Sequence, residues 1–218
     1  MRGCLFDLDG TLTNTLKDIA NAMNHALAAN GLPPFEVDAY RYLVGNGAKK
    51  LAERAVRDRT DLMEQVWHAY QREYETHSEV TTRPYSGIPE LLQALCERGI
   101  KVGVFSNKPD ADTRRVVAHY FPDIPFACVR GQTPDVPVKP DPAGALLVAE
   151  TMGLDPKDML YLGDTSVDML CGHAAGMTPI GVLWGFREAD ELLEAGATAL
   201  IASPMELLNH LEDAPCAK

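Results

Sequence analysis

Apolar residues along this 218-residue chain follow two rhythms. Short unbroken runs, Gly3 to Phe6, Val102 to Phe105, Phe126 to Val129 and Met159 to Leu162, each stop at a polar or glycine residue, as buried parallel strands do where they run into loops. Between them lie helical signals. Glu90 to Glu97 begins beside Pro89 and ends near Gly99, and Pro142 to Met152 ends at Gly153. Strands alternating with helices predict an α/β fold, a doubly wound and mostly parallel sheet covered on both faces.

Residues 14 to 80 break that alternation with three helical stripes and no strand. Leu16, Ile19, Ala20, Met23 and Leu27 form the first stripe, and Leu51, Ala52, Ala55 and Val56 the second. Leu62, Met63, Val66, Trp67, Tyr70 and Tyr74 form the third. The pattern predicts a small α-helical domain over residues 14–81, inserted into a core made of residues 1–13 and 82–218. Its edges, near Thr13 to Thr15 and Val80 to Ser86, are polar or proline-containing and suit a hinge.

Composition narrows the field of partners. The chain is 46% hydrophobic and 23% charged, enough for one good core and a smaller second one. The first apolar run stops at Asp7, and no stretch of about 20 apolar residues occurs, so neither a leader nor a membrane span is expected and the default location is cytoplasmic. Five cysteines (Cys4, Cys96, Cys128, Cys171, Cys216) lack CxxC spacing, as reduced thiols do. A net charge of −11 disfavours nucleic acid as a partner. A small phosphorylated molecule stays compatible, because a bound metal and a few placed cations reverse the sign locally. Either a monomer or a homodimer is compatible with these properties.

The strand ends carry the candidate chemistry. Asp7-Leu8-Asp9-Gly10-Thr11 follows the first strand, Ser106-Asn107-Lys108 the second, and Gly163-Asp164 with Asp168 the last, while Lys139 and Pro140 open the helix at Pro142. In a doubly wound sheet the carboxyl ends of the strands share one crevice, so these four groups are expected to converge. Together they contain a nucleophile, a proton shuttle, a metal site and cations for equatorial oxygens, the parts phosphoryl transfer requires. Carboxylates on two facing loops suit Mg²⁺, a hard cation, and a metal between them relieves their repulsion. Other readings stay open at this point. The first motif also reads as a solvated acidic turn, and Asp164 and Asp168 as caps of a helix beginning near Ser166.

The motifs DLDGT at residue 7, FSNK at 105–108, VKPDP at 138–142 and GDTSVD at 163–168 resemble, in order and spacing, the four motifs of the haloacid dehalogenase superfamily. The resemblance implies a Rossmann-like core carrying a small helical cap. Asp7 would be the attacking carboxylate, and Asp9 would protonate the leaving oxygen and then activate water, an acid that phosphatases need and dehalogenases lack. Ser106 and Lys139 would hold the transferring phosphoryl group. Asp7, the backbone carbonyl of Asp9, and Asp164 would bind Mg²⁺, with Asp168 close by to orient a metal-bound water or Lys139. Thr11, bracing the first loop, and Asn107 are counted with the substrate-contacting residues.

The cap is expected to select the substrate. Gly45-Asn46-Gly47 and the Trp184-Gly185 pair resemble features of phosphoglycolate phosphatases, with Lys49 or Lys50 as a nearby cation. Backbone amides beside the two glycines would meet a small anion, although the same turn also reads as a helix-to-helix connection needing positive φ. Asn14, Thr15 and Ser86 depart from that subgroup's pattern. A Mg²⁺-dependent phosphatase of the phosphoglycolate type is therefore expected. β-Phosphoglucomutase-like, pyrophosphatase, nucleotidase and phosphonoacetaldehyde hydrolase activities remain as alternatives, as does an inactive binding or regulatory module on the same fold.

Overall fold

A computed structural model describes residues 1–211; Cys216 lies outside the described residues. Its central sheet has six strands: β1 (Gly3–Phe6), β4 (Lys101–Pro109), β5 (Cys128–Gln132), β6 (Met159–Gly163), β7 (Thr178–Val182) and β8 (Ala199–Ile201). Their order is β5-β4-β1-β6-β7-β8, and every pairing is parallel. Side-chain alternation explains why both faces are covered. Cys4, Phe6, Val102, Val104, Leu160 and Leu162 point into one apolar cluster, with α5 (Ile88–Glu97) and α6 (Asp110–Tyr120) packed over it. Leu5, Phe105, Met159 and Tyr161 point the other way, under α7 (Ala143–Met152) and α8 (Ser166–Ala174).

Two strands differ from the expected ranges. β5 begins at Cys128 rather than Phe126, because Phe126 lies in the preceding loop, with its ring centroid 6.2 Å from that of Phe121. β4 continues past Phe105 to Pro109, so Ser106, Asn107 and Lys108 lie on an extended, buried backbone and not on a mobile loop. The pattern of apolar runs also passed over β7 and β8. Both are interrupted by small residues or are only a few residues long, which leaves a weak signal.

Four α-helices lie between β1 and α5: α1 (Leu16–Ala29), α2 (Tyr40–Leu43), α3 (Ala48–Ala55) and α4 (Met63–His77). They share a second apolar cluster in which Leu16, Met23, Leu27, Leu51, Val66 and Tyr70 are buried. One residue from elsewhere joins it, Phe186 from the loop after β7. A two-stranded antiparallel ribbon, β2 (Thr13–Asn14) with β3 (Arg83–Pro84), pairs the outgoing and returning chain.

Asp18, in the first turn of α1, closes the base of this helical region. It accepts the backbone N–H groups of Thr81 and Thr82 and both of their hydroxyls at 2.6–3.0 Å. Burial alone would raise its pKa, but the Thr81 and Thr82 donors outweigh it and hold the carboxyl below the ordinary value. A pKa lower in the folded than in the unfolded chain means stability that is present above the unfolded value, about 4, and lost as pH falls through the folded value. Asp18→Ala is expected to cost about 2 kcal/mol at pH 7 by chemical denaturation. The gap to the parent chain should narrow as the pH is lowered from about 5 towards about 2.

Candidate active site

Parallel register alone brings the strand-end motifs together. Phe6 pairs with Val104 on one side and Leu162 on the other, so Asp7 emerges between the residues that follow them. The Asp7 amide donates to the Leu162 carbonyl at 2.9 Å. Asp164 follows β6 by one residue, and Ser106 lies one residue beyond the neighbour of Asp7 on β4. This is the crevice at the carboxyl end of the sheet, beside β1, where the chain order reverses.

Lys139 is the electrostatic centre of the crevice. Its ammonium, 1% exposed, lies 2.7 Å from Asp168 Oδ1 and 2.9 Å from Asp7 Oδ1, and it donates to the Phe105 carbonyl at 3.3 Å. Burial opposes its charge, yet Asp168 and Asp7 outweigh that and raise its pKa. Asp7 is pushed up to about 7, chiefly by burial, with Lys139 working in the opposite direction. Burial, Asp168 and Asp7 raise Asp164 well above the carboxylate range. Asp7 Oδ1 is buried and makes no aligned hydrogen bond despite the nearby ammonium.

Such a trio fits a divalent cation. Asp7, Asp164 and Asp168 are all buried, and one carboxylate oxygen from each lies within 4.8 Å of the others. An all-oxygen donor set, short of positive charge and with one oxygen free of aligned donors, matches the preference of Mg²⁺. The ion would reverse the upward pressure on these carboxyls.

The rival reading of Asp164 and Asp168 as helix caps is half right. Asp168 Oδ2 accepts the Thr165 amide at 3.1 Å and the Thr165 hydroxyl at 2.7 Å at the start of α8, while its Oδ1 faces Lys139. Asp168 therefore caps and positions at once. Asp164 caps nothing: it accepts the Thr11 hydroxyl at 3.0 Å and the Phe186 amide at 2.8 Å. Gly10, with φ +88°, and Gly185 both press against Asp164, and a side chain at either position would overlap it. The Trp184 indole N–H donates to the Thr11 carbonyl at 2.9 Å.

A cavity of ≈ 270 Å³ opens above Asp7, Asp9 and Ser106. Of the other residues predicted for substrate contact, Gly45 and Gly47 line it, both with positive φ (+114° and +86°) in the turn between α2 and α3. Asn107 reaches it too, but its amide is engaged in structure: Nδ2 donates to the Gly45 and Lys139 carbonyls, and Oδ1 accepts the Lys139 amide. Thr11, Asn46 and Lys49 do not line the cavity. Thr11 is fully buried against Asp164, and Asn46 accepts Arg54 Nη2 at 2.7 Å. Lys49 sits 3.0 Å from Glu64 with its side chain 59% exposed, because the exposed face of α3 turns it towards α4 and away from the cavity.

Sequence reasoning gave no role to several residues that shape the site. Lys108 Nζ holds both carboxylate oxygens of Asp9 at 2.9–3.0 Å and donates to the Tyr74 hydroxyl at 2.9 Å. It sat inside the FSNK string, and its apolar, β-forming context was the available signal. Tyr74 and Tyr70, stacked with centroids 5.4 Å apart, line the cavity from α4. Their helical spacing read only as core. Phe186 binds Asp164 through its amide while its ring enters the helical cluster, and nothing in the sequence announces that double contact.

A family model described as haloacid dehalogenase-like hydrolase matches residues 4–182. Over 222 residues the chain is 32% identical to an N-acetylmuramic acid 6-phosphate phosphatase of Pseudomonas aeruginosa, covering 99% of this chain and 97% of that protein. It is 33% identical over 191 residues to a phosphoglycolate phosphatase of Aquifex aeolicus, covering 85% and 86% of the two chains. A crystal structure from Lactobacillus delbrueckii subsp. bulgaricus, provisionally named a phosphoglycolate phosphatase, superposes with a TM-score of 0.91 at 25% identity, over 98% of this chain and 99% of that one.

Removing the buried cation should be costly in a measurable way. Lys139→Met leaves Asp7 and Asp168 without their partner, and a loss of about 3 kcal/mol or more is expected by denaturant unfolding in the absence of metal. Adding Mg²⁺ to the parent chain should raise Tm, and Asp164→Asn should blunt that rise in the same thermal scan.

Proposed function

The chain belongs to the haloacid dehalogenase-like hydrolases, and on that premise we propose that it is a Mg²⁺-dependent phosphatase acting on small phosphomonoesters through an aspartyl-phosphate on Asp7. The observation that carries this reading is the placement of Asp7: at the end of β1, on the floor of the cavity, 2.9 Å from the Lys139 ammonium and two residues before a second acid. The names of relatives such as the phosphatases of P. aeruginosa and A. aeolicus support the same class of reaction.

An Asp7 carboxylate oxygen attacks phosphorus, and the P–O bond to the leaving group breaks in line. Asp9, on the cavity wall, delivers a proton to the departing alkoxide oxygen. Water then attacks the acyl phosphate, with Asp9 taking its proton, and Asp7 leaves with inorganic phosphate released. Lys108 holds both Asp9 carboxylate oxygens at 2.9–3.0 Å and so fixes the orientation of the carboxyl that moves the proton. Lys139 and Ser106 neutralise and orient the equatorial oxygens. Asp7, Asp164 and the Asp9 carbonyl, with Asp168 alongside, would hold Mg²⁺, which would supply charge stabilisation for the phosphoryl group.

We further propose that residues 14–81 act as a cap over the α/β core. Gly45, Gly47, Tyr70 and Tyr74 close the cavity from the side opposite Asp7, which would keep water from the reacting bond. The turn at Gly45–Gly47 and the phosphoglycolate phosphatase relatives make 2-phosphoglycolate a first compound to assay.

Asp7→Asn should lower kcat for p-nitrophenyl phosphate by about a thousandfold or more with the fold intact by circular dichroism. Asp9→Asn should instead let phosphorylated enzyme accumulate in a rapid-quench assay. Full activity in Asp7→Asn, or unchanged rates in excess EDTA, would refute the mechanism.

A further inference from the structure

The walls of the cavity beyond Asp7 and Ser106 carry their own chemical signature. Two cationic side chains line the cavity, Lys108 and Arg115, and both are already paired. Lys108 is held between Asp9 and Tyr74. Arg115 lies 2.8 Å from Asp112 and 3.2 Å from Glu79, and also donates to the Ser78 hydroxyl. Besides Asp7 and Asp9, two acids line the cavity, Glu75 from α4 and Asp112 from α6. The cations near the glycine turn are engaged with protein groups: Lys49 pairs with Glu64, Lys50 with Glu53, Arg187 with Glu191 and the Val44 carbonyl beside Gly45, and Arg54 donates to the Leu43 carbonyl and Asn46 Oδ1. None of these four lines the cavity.

A leaving group that brought a carboxylate here would be desolvated beside two acids, and among the described residues no cation lining the cavity is left unpaired to receive it. Oxygen without charge meets a different surface. The amides at Gly45 and Gly47 suit hydroxyl or carbonyl oxygens, and Gln71, Glu75 and Asp112 supply polar partners at the rim. Ile19, Leu51, Ala48 and the stacked Tyr70 and Tyr74 form an apolar wall of the kind that receives the C–H face of a sugar ring. A volume of ≈ 270 Å³ is near the lower end of pockets for small organic ligands, about 300 Å³ and up, and exceeds what a two-carbon acid fills.

Resting on the phosphatase reading above, we propose that the preferred substrate class is a sugar phosphate, a pyranose-sized phosphomonoester that sets hydroxyls and an apolar ring face against the cap, in preference to a small phosphorylated carboxylic acid. Gln71, exposed on α4 at the rim, is a position from which charge decides this preference.

The test compares kcat/KM for glucose 6-phosphate, N-acetylglucosamine 6-phosphate and 2-phosphoglycolate at matched Mg²⁺, with p-nitrophenyl phosphate as a reference for chemical competence. At least one hexose phosphate should exceed 2-phosphoglycolate by about tenfold or more. Gln71→Arg, and independently Ala111→Lys at the opposite rim, should narrow that ratio about threefold or more by raising turnover of 2-phosphoglycolate. Preference for 2-phosphoglycolate by an enzyme that hydrolyses p-nitrophenyl phosphate overturns this inference and leaves the phosphatase reading standing. Absence of Mg²⁺-dependent hydrolysis of every compound by folded protein overturns both.

Discussion

One ammonium group, that of Lys139, has negative charge on two sides inside the protein: Asp7 Oδ1 at 2.9 Å and Asp168 Oδ1 at 2.7 Å, with all three side chains nearly inaccessible. Three carboxyls crowd the end of the sheet once Asp164 is included, and burial drives the carboxyls of Asp7 and Asp164 towards the neutral form. The remaining structure around the site answers this constraint. Asn107 locks the Lys139 backbone in place from β4, the α8 cap fixes Asp168, and Gly10 and Gly185 leave room for Asp164. A divalent cation would complete the balance that one lysine leaves unfinished.

The helical region connects to this centre chiefly through backbone groups. Asn107 reaches the Gly45 carbonyl, Arg187 the Val44 carbonyl, and Arg41 the Gly185 carbonyl. Such contacts depend on where the turns sit and little on which side chains occupy them. Two side chains go further. Phe186 ties Asp164 to the helical cluster, and Lys108 joins Asp9 to Tyr74, so a shift of either helix face would be felt directly at a carboxyl of the crevice.

Strand ends were easy to read because each lies where an apolar run meets an acid, a hydroxyl or a glycine. Helix capping by Asp168 was legible from its distance to Ser166, and its contact with Lys139 was legible only by resemblance. Lys49 shows the opposite case. Proximity in sequence to the glycine turn suggested a cationic contact, yet the rotation of α3 sends it to Glu64. Two positions past a turn on a helix specifies a face, and which neighbour meets that face is a tertiary matter.

By itself, the sequence determined the alternation of strands and helices, the helical insertion, and the identity of the groups at the strand ends, because those depend on local periodicity and on a topology that gathers strand termini at one edge. Only the tertiary structure decided which cations are free and which are paired. Charge pairing depends on distances of a few ångströms between segments far apart in the chain, as with Arg115 and Glu79 or Lys108 and Asp9. Spacing along the chain does not encode those distances.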